Sequence, residues 1–154
     1  MRYLTGFCCL ILLLISCKKD EFATVPKITY LSFSPSSWES TSTAVNGPWL
    51  KFQLNDKEGD FGFQDTSISY VYVKRFSTGL STVDSFNFPF PNLPIADKAN
   101  LDVEVTLDMN FALPPRASRP RTDTVFYEFY VKDFAGNKSN VVRTPEPFLY
   151  IPLS

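Results

Sequence analysis

Leu101-Asp102-Val103-Glu104-Val105-Thr106-Leu107-Asp108-Met109 alternates apolar and polar side chains without a break. Successive side chains of a strand point to opposite faces. This stretch therefore reads as a strand with one buried and one wet face. The same period recurs on either side of it. Asp123 to Lys132 sets Val125, Tyr127, Phe129 and Val131 on one face, against Phe126, Glu128, Tyr130 and Lys132 on the other. Trp49 to Leu54 puts Leu50, Phe52 and Leu54 together. Lys27 to Phe33, Ile68 to Phe76, Ser139 to Arg143 and Phe148 to Ile151 are further β-rich runs. No segment carries a 3.6-residue period, and the twelve prolines gather between the runs.

Six or seven short strands separated by turns, in roughly 100–130 residues, predict an all-β fold. The expectation is a single β-sandwich of immunoglobulin or fibronectin type III kind, with about seven strands. Two longer connections interrupt it. Ser34 to Pro48 is rich in Ser and Thr, and Pro114 to Arg121 holds too many prolines for a central strand.

The beginning of the chain has another character. After Met1-Arg2-Tyr3 comes the apolar run Phe7 to Ile15, too short for a membrane-spanning helix but suited to the core of a secretory signal. Leu14-Ile15-Ser16-Cys17 resembles the lipobox of bacterial lipoproteins. That resemblance implies cleavage before Cys17 and acylation of Cys17, which would hold the chain on a membrane by its lipid. Two or three acyl chains make a durable anchor where one does not. The division that follows is signal 1–16, lipidated tether 17–26 and sandwich 27–154. Lys18-Lys19-Asp20-Glu21 is similar to the surface-export tag of Bacteroidota lipoproteins. Together these imply the outer membrane and its external face.

Composition removes whole classes of chemistry. Net charge is −1, so no basic excess points to nucleic acid. All three cysteines, Cys8, Cys9 and Cys17, lie in the signal or at the lipid site, which leaves no disulfide for the folded part. There is no histidine. Histidine-dependent nucleophile activation is excluded, as are the usual zinc, copper and non-haem iron ligand sets. Carboxylate chemistry and oxygen-ligated cations remain. Asp102, Glu104 and Asp108 share the wet face of one strand. Nothing there would raise a carboxyl pKa as glycoside hydrolysis requires. A non-catalytic chain is expected.

Two turns are more specific than the general pattern. Asn55-Asp56-Lys57-Glu58-Gly59-Asp60-Phe61-Gly62 resembles an acidic turn of small Bacteroidota lipoproteins. Val131-Lys132-Asp133-Phe134-Ala135-Gly136-Asn137-Lys138-Ser139-Asn140 is similar to the turn joining the last strands of bacterial immunoglobulin-like domains. The resemblance implies a fold and an address, not an activity. In the second turn Gly136 and Asn137 tolerate positive φ, and Asp133 can accept backbone N–H groups two residues on.

In the first turn Asp56, Glu58 and Asp60 are spaced by two, with Asp65 behind them, and form a candidate calcium site. The EF-hand rule fails, because glycine falls at the fourth place, Phe61 at the sixth and Ser67 at the twelfth. A looser site would be completed by a carbonyl or by Asp133 from a neighbouring loop. A solvated acidic turn is the plainer alternative, since spacing alone is a weak metal signal.

Phe86, Phe88 and Phe90 alternate, as one buried face of an edge strand or as an exposed row that could stack on sugars or seat a protein. Arg116, Arg119 and Arg121 make a small basic cluster, and Asp123-Thr124-Val125 resembles an O-glycosylation motif of exported Bacteroidota proteins. The functional expectation is a lipid-anchored binding or structural module of the outer membrane, meeting protein or glycan at the cell surface. A periplasm-facing accessory of an envelope complex is the alternative, and a carboxylate hydrolase the third.

Overall fold

The computed structural model describes residues 24–39, 47–64, 67–78, 80, 82–90, 99–114 and 122–151. Cys17, Asp65, Arg116, Arg119 and Arg121 lie outside the described residues. The strands in chain order are β1 (Lys27–Ser34), β2 (Ser37–Glu39), β3 (Trp49–Asp56), β4 (Phe63–Gln64), β5 (Ser67–Ile68), β6 (Tyr70–Ser77), β7 (Asp84–Pro89), β8 (Leu101–Asp108), β9 (Asp123–Lys132), β10 (Val142–Arg143) and β11 (Phe148–Ile151). A 3₁₀ turn, Asn110–Ala112, follows β8.

Two sheets pack face to face. One has the order β1-β3-β8, and the other β2-β11-β9-β6-β7, with β10 added to β9. Neighbours within each sheet are antiparallel except β2 and β11, which run parallel. With the first, third and eighth strands opposite the sixth, seventh, ninth and eleventh, the order is that of an immunoglobulin-type sandwich. β4 and β5 form a separate two-stranded hairpin between β3 and β6.

The alternation of the sequence is the alternation of burial. Leu50, Phe52 and Leu54 of β3 are fully buried, and so are Val125, Tyr127, Phe129 and Val131 of β9. The two rows meet through Phe52 and Phe129, whose ring centroids are 5.3 Å apart. On β8, Leu101, Val105 and Leu107 point inward while Asp102, Glu104 and Thr106 are exposed.

Several sequence expectations needed correction. The run Ile68 to Phe76 is broken at Ser69, whose buried Oγ accepts the Gly62 N–H at 2.8 Å. A polar residue bound to the preceding turn stops the ladder there. Ser139 to Arg143 yields only β10, because Ser139 and Asn140 spend their polar groups on other partners. The connection after Ser34 contains β2, which follows a cis Ser34–Pro35 bond and crosses to the opposite sheet. Its half-buried Trp38 packs on the core. β7 is the expected edge strand, with Phe86 and Phe88 half-buried against the core and Phe90 fully buried.

Two polar devices pin the crossover from β8 to β9. The Tyr127 hydroxyl donates to the Ala112 carbonyl at 3.2 Å, tying the connection to the strand it leads into, as the tyrosine corner of immunoglobulin domains does. Burial pushes that phenol well above its ordinary range. Arg75, only 4% exposed, donates from Nη1 to Ala112 O at 3.0 Å and also to Leu113 O, and its Nη2 pairs with Asp84. The guanidinium lies over the Phe86 ring, 5.2 Å from its centroid. A planar fork satisfies several acceptors at once, which lysine cannot do.

Candidate functional site

Two regions carry chemistry. The first is the end of the sandwich where β3 and β9 finish. These strands belong to opposite sheets, so the loops that follow them face each other. The acidic loop after β3 folds onto the loop after β9: the Phe134 N–H donates to Asp60 O at 3.1 Å and the Ala135 N–H to Asp60 Oδ2 at 3.3 Å. Gly59, at φ 62°, turns the chain back so that its N–H meets Asp56 Oδ2 at 2.6 Å. That backbone conformation suits glycine. In the second loop Asp133 accepts the Asn137 N–H at 2.7 Å and the Asn137 side-chain amide at 2.8 Å.

This folding brings Asp56, Asp60 and Asp133 together, with one carboxylate oxygen of each within 4.8 Å of the other two. Asp56 is completely buried and Asp133 is 5% exposed. Oδ1 of Asp56 and Oδ1 of Asp60 are buried without a hydrogen-bond partner. Burial pushes the Asp56 carboxyl up to about 6, against the Gly59 hydrogen bond, and the charges of Asp60, Glu58 and Asp133 add to the rise. Asp60 is raised too, first by burial and then by Asp133.

Of the residues expected at this site, Glu58 is exposed and stays outside the group, and Asp65 lies beyond the described residues. The Asp133 turn also departs from expectation. Gly136 does take positive φ, at 86°, but Asn137 does not. Asp133 reaches four residues on rather than two, so Asn137 serves through its own amide.

The second region is the outer face of β6 and β9. Register pairs Tyr72 with Tyr130 and Phe76 with Phe126. The two tyrosine rings stack, 4.9 Å apart and 7° from parallel. Lys132 lies over Tyr72 at 5.4 Å and Lys138 over Tyr130 at 4.1 Å. Further along, Arg143 covers Phe76 and Phe126 at 5.1 and 4.7 Å and reaches Glu128 at 3.3 Å. Phe76, Thr78, Thr124, Phe126 and Arg143 line an open depression there.

Lys74, Lys132, Lys138 and Arg143 stand on or beside this face, with Glu128 as the one acid among the described residues there. Lys132 and Lys138 meet no carboxylate among the described residues. Phe86 and Phe88, with Phe90 just past its end, form the buried face of edge strand β7, the first of the two readings their alternation allows, and not an exposed row. The half-buried aromatics of this outer face are cross-strand pairs of β6 and β9, visible only once the register is known.

The acids of β8 are otherwise engaged. Asp102 accepts from the side-chain amides of Gln53 and Asn55, and Glu104 pairs with Lys51 at 2.9 Å, all on an exposed face. Thr124 of the Asp123-Thr124-Val125 motif is half-buried within β9, and its N–H donates to Thr78 Oγ1 at 3.0 Å. No family model, curated protein or solved structure matches the chain.

Proposed function

We propose that the chain is a non-catalytic binding module, held on the outer membrane through a lipid at Cys17, that presents the outer face of β6 and β9 to an acidic glycan at the cell surface. The observation that carries this reading is the cation-covered aromatic face. Tyr72, Tyr130, Phe76 and Phe126 supply flat apolar area of the kind sugar rings stack on. Lys132 and Lys138 supply positive charge that no carboxylate of the described residues neutralises. Cations resting on aromatic rings keep part of their attraction for an anion, because the ring quadrupole is a weaker partner than a carboxylate. The opposite outer face supports the same assignment by contrast, since Asp102 and Glu104 there are held by Gln53, Asn55 and Lys51. Those acids lie on an open, wet face with nothing to set one apart as a proton donor.

Immobilised polyuronate and neutral dextran test the reading, with the full chain passed over each at rising salt. Retention on polyuronate that weakens with salt, and drops at least about fivefold in the Lys132→Ala, Lys138→Ala double variant, is expected from loss of two charges. Equal retention on the neutral polymer, or an unchanged double variant, overturns it. The anchor is tested by labelling with palmitate, which a Cys17→Ser variant is expected to lose. Protease shaving of intact cells, read at a tag after Ser154, separates the external face from a periplasm-facing accessory role.

A further inference from the structure

We propose that Asp56, Asp60 and Asp133 form a calcium site that clamps the loop after β3 to the loop after β9. Three oxygens, one from each carboxylate and all within 4.8 Å of one another, are near enough to converge on one calcium ion, at oxygen distances of about 2.3–2.6 Å, with small side-chain adjustments. The independent sign is Asp56: it is completely buried, and its Oδ1 has no hydrogen-bond donor. Asp60 Oδ1 is buried and unpartnered as well. Buried carboxylate oxygens are ordinarily paired or hydrogen-bonded, because removing them from water is costly. None of the three meets a lysine or arginine among the described residues. A hard dication would answer every one of these deficits together.

The donor set also selects among cations. All ligands are oxygen, with no histidine in the chain and no cysteine in the sequence after Cys17, which disfavours transition metals. Two loops of irregular backbone suit the variable geometry of calcium better than the strict octahedron of magnesium. The remaining oxygens are already oriented: Gly59, Ala135 and Asn137 donate to the three carboxylates and hold them in place. The ion would join loops from the two sheets at the end of the sandwich where β1 begins. This site does not involve the face of β6 and β9, so the two proposals stand or fall separately.

The test uses the full chain in detergent, stripped of metal with a chelator, then titrated with calcium chloride or magnesium chloride. Calorimetry is expected to give a one-to-one calcium isotherm, and saturating calcium to raise the melting temperature by several degrees, more than the same concentration of magnesium does. Asp60→Asn, checked for retained β-structure by circular dichroism, is expected to abolish the calcium heat. Asp56→Asn relieves crowding of three carboxylates, so in chelator it should melt above the parent, yet fall below it once calcium is added. Glu58→Gln is expected to keep the calcium response. A folded parent that shows neither calcium heat nor a thermal shift overturns the proposal, as does an Asp60→Asn variant that responds like the parent.

Discussion

Asn140→Ala is expected to destabilise the domain well beyond what an exposed residue ordinarily contributes. β1 is an edge strand, paired only with β3. Its Ile28 backbone turns away from β3, and there the Asn140 side chain takes the place of a missing strand: Oδ1 accepts the Ile28 N–H at 2.8 Å and Nδ2 donates to Ile28 O at 2.9 Å. Two hydrogen bonds at a net 0.5–1.5 kcal/mol each make a loss of about 2 kcal/mol. For a domain of this size that lowers the melting temperature by roughly 6–10 °C. Urea unfolding gives the magnitude, and hydrogen exchange gives the site, since the Ile28 amide should lose protection before its neighbours in β3.

Asn140→Asp is the sharper variant, because it keeps the acceptor but sets a carboxylate oxygen against Ile28 O. It should be at least as damaging at neutral pH. Val141→Ala, next along the chain and 51% exposed, should stay within about 0.5 kcal/mol of the parent. An Asn140→Ala protein as stable as the parent, with Ile28 still protected, would refute the strand-substitute argument.

Arg75→Met should cost about 2–3 kcal/mol in urea unfolding, since it strips the Ala112 and Leu113 carbonyls of a buried donor while half-exposed Asp84 can turn to water. Arg75→Lys should recover only part of that, because one ammonium cannot span the acceptors of the fork. In chelator, the melting temperature should rise as pH falls from above 6 toward 4. The Asp56 carboxyl titrates near 6 when folded and near its ordinary value when unfolded, so the native state holds the extra proton across that window. The stability gained is complete below the unfolded value and is lost as pH climbs through about 6. A melting temperature flat over that window in the parent, or an Asp56→Asn variant with the same slope, would count against the burial of that group.

The strands were legible because their alternation is a local property. Leu50, Phe52 and Leu54, or Val125 through Val131, report burial without knowledge of any partner. β2 was not legible: it is three residues long, and only its pairing to β11, far along the chain, makes it a strand. Arg75 fell on the inward face of β6 with Val71 and Val73, and that alternation was a usable signal that a guanidinium was going inside. What it would bind depended on where the 3₁₀ turn lands, which no spacing encodes.

The outer aromatic face was half visible, as Phe126 and Tyr130 on the wet side of β9. Its other half required the register that sets Tyr72 beside Tyr130. At the carboxylate cluster the acidic spacing was plain, and Asp133 from a second loop was the right kind of partner. Local spacing counted Glu58 with the group, and the turn at Gly59 separates it, because a positive-φ glycine reverses the chain between Glu58 and Asp60.

The placement of the first and last strands has a mechanical consequence. β1 starts beside Asn55, at the end of the sandwich holding the carboxylate cluster, and β11 runs toward the end where β9 begins. A molecule tethered ahead of Lys27 and pulled through its outer face would feel tension along the length of β1. The pairs from Lys27–Asn55 to Ser34–Trp49 would then be loaded in shear, sharing the force, rather than opened one after another from an end. Asn140 holds Ile28, of the second of these pairs, from the free side of the same strand, and resists the same displacement. Under such a load the strand is expected to yield late and all at once.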